Sequence, residues 1–212
     1  MRVLVLGAGG TGGYFGGRLA QAGADVTFLV RPARAVLLRE RGLRIRSALG
    51  DADLAVATTT AEALPGLPPF DLVVLSCKAY DLESAVEAIA PAVGPSTGVL
   101  PILNGLLHYD RLDARFGRAR VLGGLCFISA TLGADGEVVH MGGPASITFG
   151  LREGNTDTGV LARLAVACAA ADVDHLLAPD IARAQWIKFS FLAALAAATC
   201  LMRGSVGDIV AS

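Results

Sequence analysis

The chain has 212 residues, of which 53 % are hydrophobic and 17 % charged, and its formal net charge is −1. This composition leaves little room for long disordered segments, and a chain of this length can bury one large domain or two modest ones. The charge is close to zero and no basic stripe is present, so nucleic acid is not indicated as a partner.

Strand-like apolar runs alternate with helical patterns along most of the chain. The predicted strands are 2–6, 25–30, 71–76 and 98–103, followed by shorter ones near 121–130, 136–141 and 146–150. The predicted helices are 11–22, 32–41, 81–91, 108–116 and 157–171. This alternation predicts an α/β fold, a doubly wound parallel sheet of the Rossmann type with helices on both faces. The later strands, which include the turn-like "GADGEV", read as more antiparallel.

The pattern changes near Pro179. From Asp180, a candidate N-cap, the chain reads as continuous helix without a strand signal. We therefore predict two domains, a sheet domain at 1–178 and the beginning of an all-helical domain at 179–212. Residues 189–202 are apolar on every face, so this helix should be surrounded by protein, either by a second subunit in a homodimer or by further chain. We favour the second explanation, in which the helical domain is truncated.

The cysteines and the apolar runs bear on the cellular compartment. The four cysteines are widely spaced: Cys77, Cys126, Cys168 and Cys200. Without a C-x-x-C pair we expect reduced buried thiols, with neither a disulfide framework nor a metal site. The first apolar run, 3–6, is too short for a signal-peptide core, and the 14 residues of 189–202 are short of a membrane span. We therefore expect a cytoplasmic protein without a membrane partner.

A glycine-rich stretch, "LGAGGTGG", follows the first strand and opens the first helix. In a G-x-G-x-x-G pattern the first glycine makes the tight turn, the second lets the backbone approach a pyrophosphate, and the third lets helix and strand pack closely. The free N–H groups of the helix N-terminus then receive the phosphates. The predicted cofactor-binding loop comprises Gly7, Ala8, Gly9, Gly10, Thr11 and Gly12.

Arginine follows the second strand, where an NAD-binding protein usually carries an acidic residue for the ribose 2′-hydroxyl. The residue here is Arg31, with Arg34 three positions later. A guanidinium matches a phosphate with two aligned donors, whereas a carboxylate would repel it. The sequence therefore predicts NADP(H) rather than NAD(H), bound by the domain at 1–178 with Arg31 at the 2′-phosphate.

Polar residues follow two further strands of the predicted sheet. Lys78 comes after the strand at 71–76, and Asn104 comes after the strand at 98–103. The carboxyl ends of parallel strands meet at one edge, which the glycine loop shares, and ligands bind there. Asn104 can donate and accept, which suits a ribose hydroxyl, a carboxamide or a substrate carboxylate. We therefore predict both residues in a cofactor and substrate cleft.

Five segments, in this order, resemble the ketopantoate reductase (2-dehydropantoate 2-reductase) family: "VLGAGGTGGYFGGRLAQAGADVTFLVR", "DLVVLSCKAYD", "ILNGL", "GGLCFISATLGADGEVVHMG" and "ARAQWIKFSF". The resemblance implies a Rossmann domain followed by a helical one. It implies that NADPH reduces 2-dehydropantoate, a 2-keto acid, to (R)-pantoate for pantothenate and coenzyme A biosynthesis. It also implies that Lys78 and Asn104 contact the nicotinamide-ribose and substrate region.

Reduction of a ketone needs a proton donor near the carbonyl oxygen. None of the three histidines stands at a strand end of the predicted cleft: they are His108, His140 and His175. Lys188 is the better candidate, because it interrupts an apolar helix and burial would lower its pKa. The resemblance implies the same role, since Trp186-x-Lys188 matches the place of the family's general-acid lysine. We therefore predict Lys188 as catalytic and, with Asn104, as substrate-binding.

The resemblance fails one turn later, where the family usually carries asparagines four and eight residues after the lysine. Leu192 and Ala196 stand at these positions and cannot form side-chain hydrogen bonds. A more apolar 2-keto acid or related ketone would suit them. Two other readings remain open: an NADP(H)-binding regulatory or redox-sensing module without turnover, and an oxidising enzyme of the wider 6-phosphogluconate dehydrogenase-like group.

Overall fold

The computed structural model describes residues 1–211. The strands are β1 (Arg2–Leu6), β2 (Asp25–Leu29), β3 (Leu43–Arg46), β4 (Ala52–Leu54), β5 (Ala57–Thr59), β6 (Leu72–Leu75), β7 (Gly98–Pro101), β8 (Gly123–Phe127), β9 (Ala130–Leu132), β10 (Val138–His140), β11 (Ser146–Gly150) and β12 (Asp174–Leu177). The helices are α1 (Gly10–Gln21), α2 (Pro32–Arg41), α3 (Leu82–Ile89), α4 (His108–Phe116), α5 (Val160–Ala170), α6 (Ile181–Met202) and α7 (Val206–Val210). Short 3₁₀ helices span Leu64–Gly66, Ala79–Asp81 and Ala90–Ala92.

The central layer is a five-stranded parallel sheet with the order β5-β2-β1-β6-β7. Its inner strands are apolar and buried on both faces, as expected for a parallel sheet covered by helices. One core cluster lies under α1 and α5, and a second lies under α3 and α4. The predicted α/β fold is therefore confirmed. The strand order reverses between β1 and β6, which places the ligand-binding edge of such a sheet at the carboxyl ends of these two strands.

Two smaller sheets complete the fold, with the orders β4-β3-β10-β9 and β12-β11-β8. Antiparallel pairing is confirmed for β9 with β10 and for β8 with β11. The single strand predicted at 121–130 is wrong, because this segment divides into β8 and β9, which belong to different sheets. The sequence analysis also missed β3, β4, β5 and β12, which have only three or four residues each.

Helix α6 begins where the sequence predicted, and the Asp180 carboxylate accepts a hydrogen bond from the Arg183 N–H at 2.9 Å. The prediction of one continuous helix is wrong at its end, since Arg203 adopts φ 51° and separates α6 from α7. Within the described residues most of α6 is exposed. With 22 residues it is long and apolar enough, by length and composition only, to cross a membrane, contrary to the estimate from 189–202 alone. One such helix is weak evidence for a membrane protein.

The four cysteines are unpaired. Cys126 and Cys168 are buried, Cys77 is half-buried, and Cys200 is exposed on α6. The expectation of buried thiols is therefore wrong for Cys200, because the part of α6 that carries it is mostly exposed.

Candidate active site

The glycine loop joins β1 to α1 at the carboxyl edge of the sheet. Gly7 has φ +86°, which favours glycine, and its N–H donates to the Leu29 carbonyl at 2.9 Å. A Cβ at Gly12 would lie 2.2 Å from Ser76 Oγ, whereas a Cβ at Gly9 would meet no atom within 4 Å. The N-terminus of α1 has no side-chain cap. Open space at Gly9 in front of free N–H groups fits a dinucleotide pyrophosphate, and the role of the loop stays a prediction.

The two arginines after β2 have different surroundings. The Arg31 side chain is 85 % exposed, and its Nη2 lies 3.7 Å from Asp81 Oδ1. Arg34 is partly buried, and its Nη2 donates to the Ala8 carbonyl of the glycine loop at 2.9 Å. Burial, with Arg44 as a second cause, lowers the pKa of Arg34. Arg31 thus lies on the surface beside Asp81, and Arg34 bonds the loop itself.

Lys78 follows β6, the neighbour of β1, and is exposed at the start of the Ala79–Asp81 3₁₀ helix. The ends of β1 and β6 are joined by a hydrogen bond, which the Ser76 hydroxyl donates to the Leu6 carbonyl at 2.8 Å. The structure therefore brings the glycine loop, Arg31 and Lys78 to one edge of the sheet. Asn104 follows the next strand, β7, and is also exposed.

Lys188 lies on α6 with its amine against β8 and the loop after β7. Its Nζ donates to the Cys126 carbonyl at 2.6 Å and to Asn104 Oδ1 at 3.0 Å. The residue is 7 % exposed, and burial lowers its pKa, an effect that the neighbouring Cys126 partly offsets. The Phe127 ring centre is 5.2 Å from the same nitrogen. The structure thus brings Lys188 and Asn104, both predicted to bind substrate, into direct contact.

A cleft opens beside this contact. Lys188 and Gln185 are its polar side chains, and Gly105 and Gly124 contribute backbone. The other lining residues are apolar: Leu103, Leu106, Leu125, Phe189 and Leu192. Ala196 is not among the lining residues and is exposed further along α6. Of the two positions at which the resemblance failed, only Leu192 therefore lines the cleft.

The structure adds residues that the sequence analysis missed. The sequence did not indicate Asp81, which lies beside Arg31, as a site residue, because an acidic residue after a strand is common on a protein surface. Gln185 lies three residues before Lys188, so the two share a helix face, and this spacing could have indicated it. The three histidines lie outside the cleft lining.

Comparison with known proteins identifies several relatives. A family model described as "Ketopantoate reductase PanE/ApbA" matches residues 3–154. The "Uncharacterized oxidoreductase YkpB" of Bacillus subtilis is 38 % identical over 216 residues, covering 100 % of this chain and 69 % of that protein. The 2-dehydropantoate 2-reductase of Pyrococcus abyssi is 35 % identical over 144 residues, 67 % of this chain and 45 % of that protein.

A solved structure is similar over the whole chain. The crystal structure of 2-dehydropantoate 2-reductase from Geobacter metallireducens superposes with a TM-score of 0.88 at 31 % identity, covering 100 % of this chain and 69 % of that one. The chain thus spans about two thirds of the Geobacter metallireducens protein, whereas its match covers less than half of the Pyrococcus abyssi reductase.

Proposed function

Since this chain belongs to the ketopantoate reductase family, whose members are oxidoreductases, we propose that it reduces a 2-keto acid to the 2-hydroxy acid with NADPH. One observation carries the proposal: the buried Lys188 amine bonds Asn104 Oδ1 at 3.0 Å beside an apolar cleft. An amine in apolar surroundings is costly to bury, so its placement beside a cleft supports a chemical role.

Lys188 serves as the proton donor in this proposal. An ammonium has three N–H donors, and the Cys126 carbonyl and Asn104 Oδ1 accept two of them. The third N–H is left to bond the keto oxygen of the substrate. Bound NADPH would supply the hydride for the carbonyl carbon. Lys188 would give this proton to the keto oxygen, which yields the alcohol, and the neutral amine would recover a proton from solvent.

The NADPH preference rests on the edge that holds the glycine loop and Arg31. The side chain of Arg31 is exposed and can turn its guanidinium toward a 2′-phosphate. The open space at Gly9 can take the pyrophosphate, and Lys78 and Asn104 are assigned to the nicotinamide-ribose region. We propose 1–178 as the NADP-binding domain, and α6 as the start of a helical domain through which a homodimer can form.

The first substrate we propose is 2-dehydropantoate, reduced to (R)-pantoate in pantothenate and coenzyme A biosynthesis. A second candidate is a 2-keto acid with an apolar side chain. Leu192 and Phe189 favour it, because they line the cleft beside Lys188 and offer no hydrogen bonds to a hydroxyl group.

The proposal is tested by NADPH consumption with a panel of 2-keto acids, namely 2-dehydropantoate, branched aliphatic 2-keto acids and phenylpyruvate. Two matched variants assign the roles, Lys188→Met and Lys78→Met. We expect Lys188→Met to lower kcat by roughly 10²–10⁴-fold with NADPH binding retained, and Lys78→Met mainly to raise the KM for NADPH. Tight NADPH binding without turnover of any 2-keto acid would favour a regulatory module instead. Near-normal turnover by Lys188→Met would refute the mechanism.

A further inference from the structure

Helix α6 contacts the rest of the protein through a narrow stripe. Its buried residues are Ile181, Gln185 and Lys188, which lie on one face at intervals of four and three. Ile181 packs where β8 has a glycine, since a Cβ at Gly123 would lie 2.6 Å from its side chain. The position of the Lys188 amine therefore depends on very few side chains.

Gln185, in the middle of this stripe, is bonded to β8 and α4. Its Nε2 donates to the Gly124 carbonyl at 3.2 Å and to the Tyr109 hydroxyl oxygen. The same hydroxyl oxygen accepts the Gly124 N–H at 3.1 Å. Gln185 and Tyr109 together therefore satisfy both backbone groups of one residue of β8.

The Gln185 and Lys188 contacts lie on the same strand. Lys188 bonds the Cys126 carbonyl and Gln185 bonds the Gly124 carbonyl, and carbonyls two residues apart in a strand point the same way. The amide and the amine thus form two adjacent attachments of α6 to β8, and both side chains line the cleft.

Tyr109 is held firmly on its other side. It is 6 % exposed, and the Arg152 guanidinium stacks over its ring at 4.1 Å. Arg152 forms a two-point ion pair with Asp113, at 2.8 and 2.9 Å. The Tyr109 hydroxyl therefore has a fixed position, and its hydrogen bond can orient the Gln185 amide.

We propose that Gln185 and Tyr109 are positioning residues that hold the Lys188 amine at the substrate cleft. The proposal rests on the proposed function, in which Lys188 donates the proton. Without these hydrogen bonds, the bond from the amine to Cys126 is the remaining hydrogen bond between α6 and β8 among the described residues. The amine can then shift away from the keto oxygen toward water. A misplacement of about 1 Å can cost roughly 10²-fold in rate.

The variants are Gln185→Met, which keeps length and removes the amide, and Tyr109→Phe, which keeps the ring and removes the hydroxyl. Ser190→Ala is the matched control, because Ser190 is exposed on α6 and, among the described residues, its hydroxyl bonds only the Trp186 carbonyl of its own helix. We expect each of the first two to lower kcat by roughly 10- to 100-fold with an unchanged KM for NADPH. We expect the double variant to lose little more than either single one, because the two side chains act as one unit.

The pH profile of kcat distinguishes positioning from a merely structural role. The proton donor must be protonated, so activity falls as the pH rises through the Lys188 pKa, which burial lowers. In both variants a better hydrated amine moves this alkaline limb to higher pH, toward the ordinary lysine value. We expect Ser190→Ala to leave the pH of this alkaline fall in kcat unchanged.

Wild-type kcat and an unmoved limb in both variants would overturn the proposal, as would a lower kcat with an unmoved limb. If Gln185→Met does not fold, Tyr109→Phe alone decides, since it is nearly isosteric. The proposed function fails separately, by near-normal turnover in Lys188→Met. An inactive Lys188→Met together with wild-type behaviour of both variants would refute only the positioning role.

Discussion

Two alanine substitutions in the glycine loop distinguish a glycine needed for packing inside the protein from a glycine needed for the approach of a ligand. A Cβ at position 12 would lie 2.2 Å from Ser76 Oγ and 2.6 Å from the Gly7 carbonyl oxygen. A Cβ at position 9 would meet no atom within 4 Å, and Gly9 has an ordinary φ of −87°. The methyl group of an alanine should therefore fit at position 9 when no ligand is bound, and should clash with the surrounding protein at position 12.

We expect Gly12→Ala to lower the free energy of unfolding by about 1–3 kcal/mol, the usual cost of overpacking. At this chain length each kcal/mol lowers Tm by about 2–4 °C. Gly9→Ala should leave the free energy of unfolding unchanged or raise it by up to about 1 kcal/mol, because it restricts the unfolded chain. Its methyl group would enter the space assigned to the pyrophosphate, and we expect NADPH binding to weaken roughly tenfold or more, about 1.4 kcal/mol.

Thermal unfolding gives the stability of each variant, and NADPH fluorescence titration gives its affinity. Wild-type NADPH affinity in a normally folded Gly9→Ala would refute the placement of the pyrophosphate at α1. A Gly12→Ala variant as stable as wild type would refute the packing argument for the third glycine.

Three further predictions concern charge and the cleft. Burial, with a smaller contribution from a nearby arginine, lowers the pKa of His108 to about 4 from an ordinary 6.5. The unfolded chain therefore binds this proton more readily, and stability present above pH 6.5 is lost as the pH falls toward 4. We expect a loss of about 2 kcal/mol at pH 5 in urea unfolding, absent in His108→Leu. Asp81→Asn removes the carboxylate beside Arg31 and should lower the KM for NADPH roughly threefold at low salt, but not that for NADH. Leu192→Asn adds an amide to the cleft and should shift the kcat/KM ratio about tenfold toward 2-dehydropantoate over an apolar 2-keto acid.

Each of these predictions has a contrary outcome. Equal acid sensitivity of wild type and His108→Leu would show that this histidine is not held neutral. If Asp81→Asn changed the KM for NADPH and the KM for NADH equally, the 2′-phosphate would have to lie away from Arg31. An unchanged substrate ratio in Leu192→Asn would move the substrate away from that wall of the cleft.

The parts of the fold that the sequence predicted are those with a local signal. The glycine loop follows a short apolar strand, and the spacing of its glycines reports the turn and the helix start directly. The start of α6 was also readable, because Asp180 is an N-cap at the beginning of a long apolar pattern. Such features depend on residues that are close together in sequence.

The parts that were missed depend on partners far along the chain. Strand β3 pairs with β10, and β5 pairs with β2, both distant in sequence. Strand β4 pairs with β3 beside it in sequence but has only three residues, so these strands carry little pattern of their own. The division of 121–130 arises because β8 pairs with β11 while β9 pairs with β10. In the site, Lys188 was recognisable as a charge in an apolar helix. The spacing to Lys188 could have indicated Gln185, but its bond to Tyr109, 76 residues earlier, has no local signal.

The central claim, that a buried amine beside Asn104 donates the proton, can be tested on the amine itself. The sequence contains two lysines, Lys78 and Lys188, so lysine-selective isotope labelling gives two side-chain NMR signals, which Lys78→Arg assigns. We expect the Lys188 signal to titrate below the ordinary pKa of 10.5, with a midpoint at the alkaline limb of the kcat profile. Titration of Lys188 at the ordinary value, or a limb that does not follow its midpoint, would contradict the account.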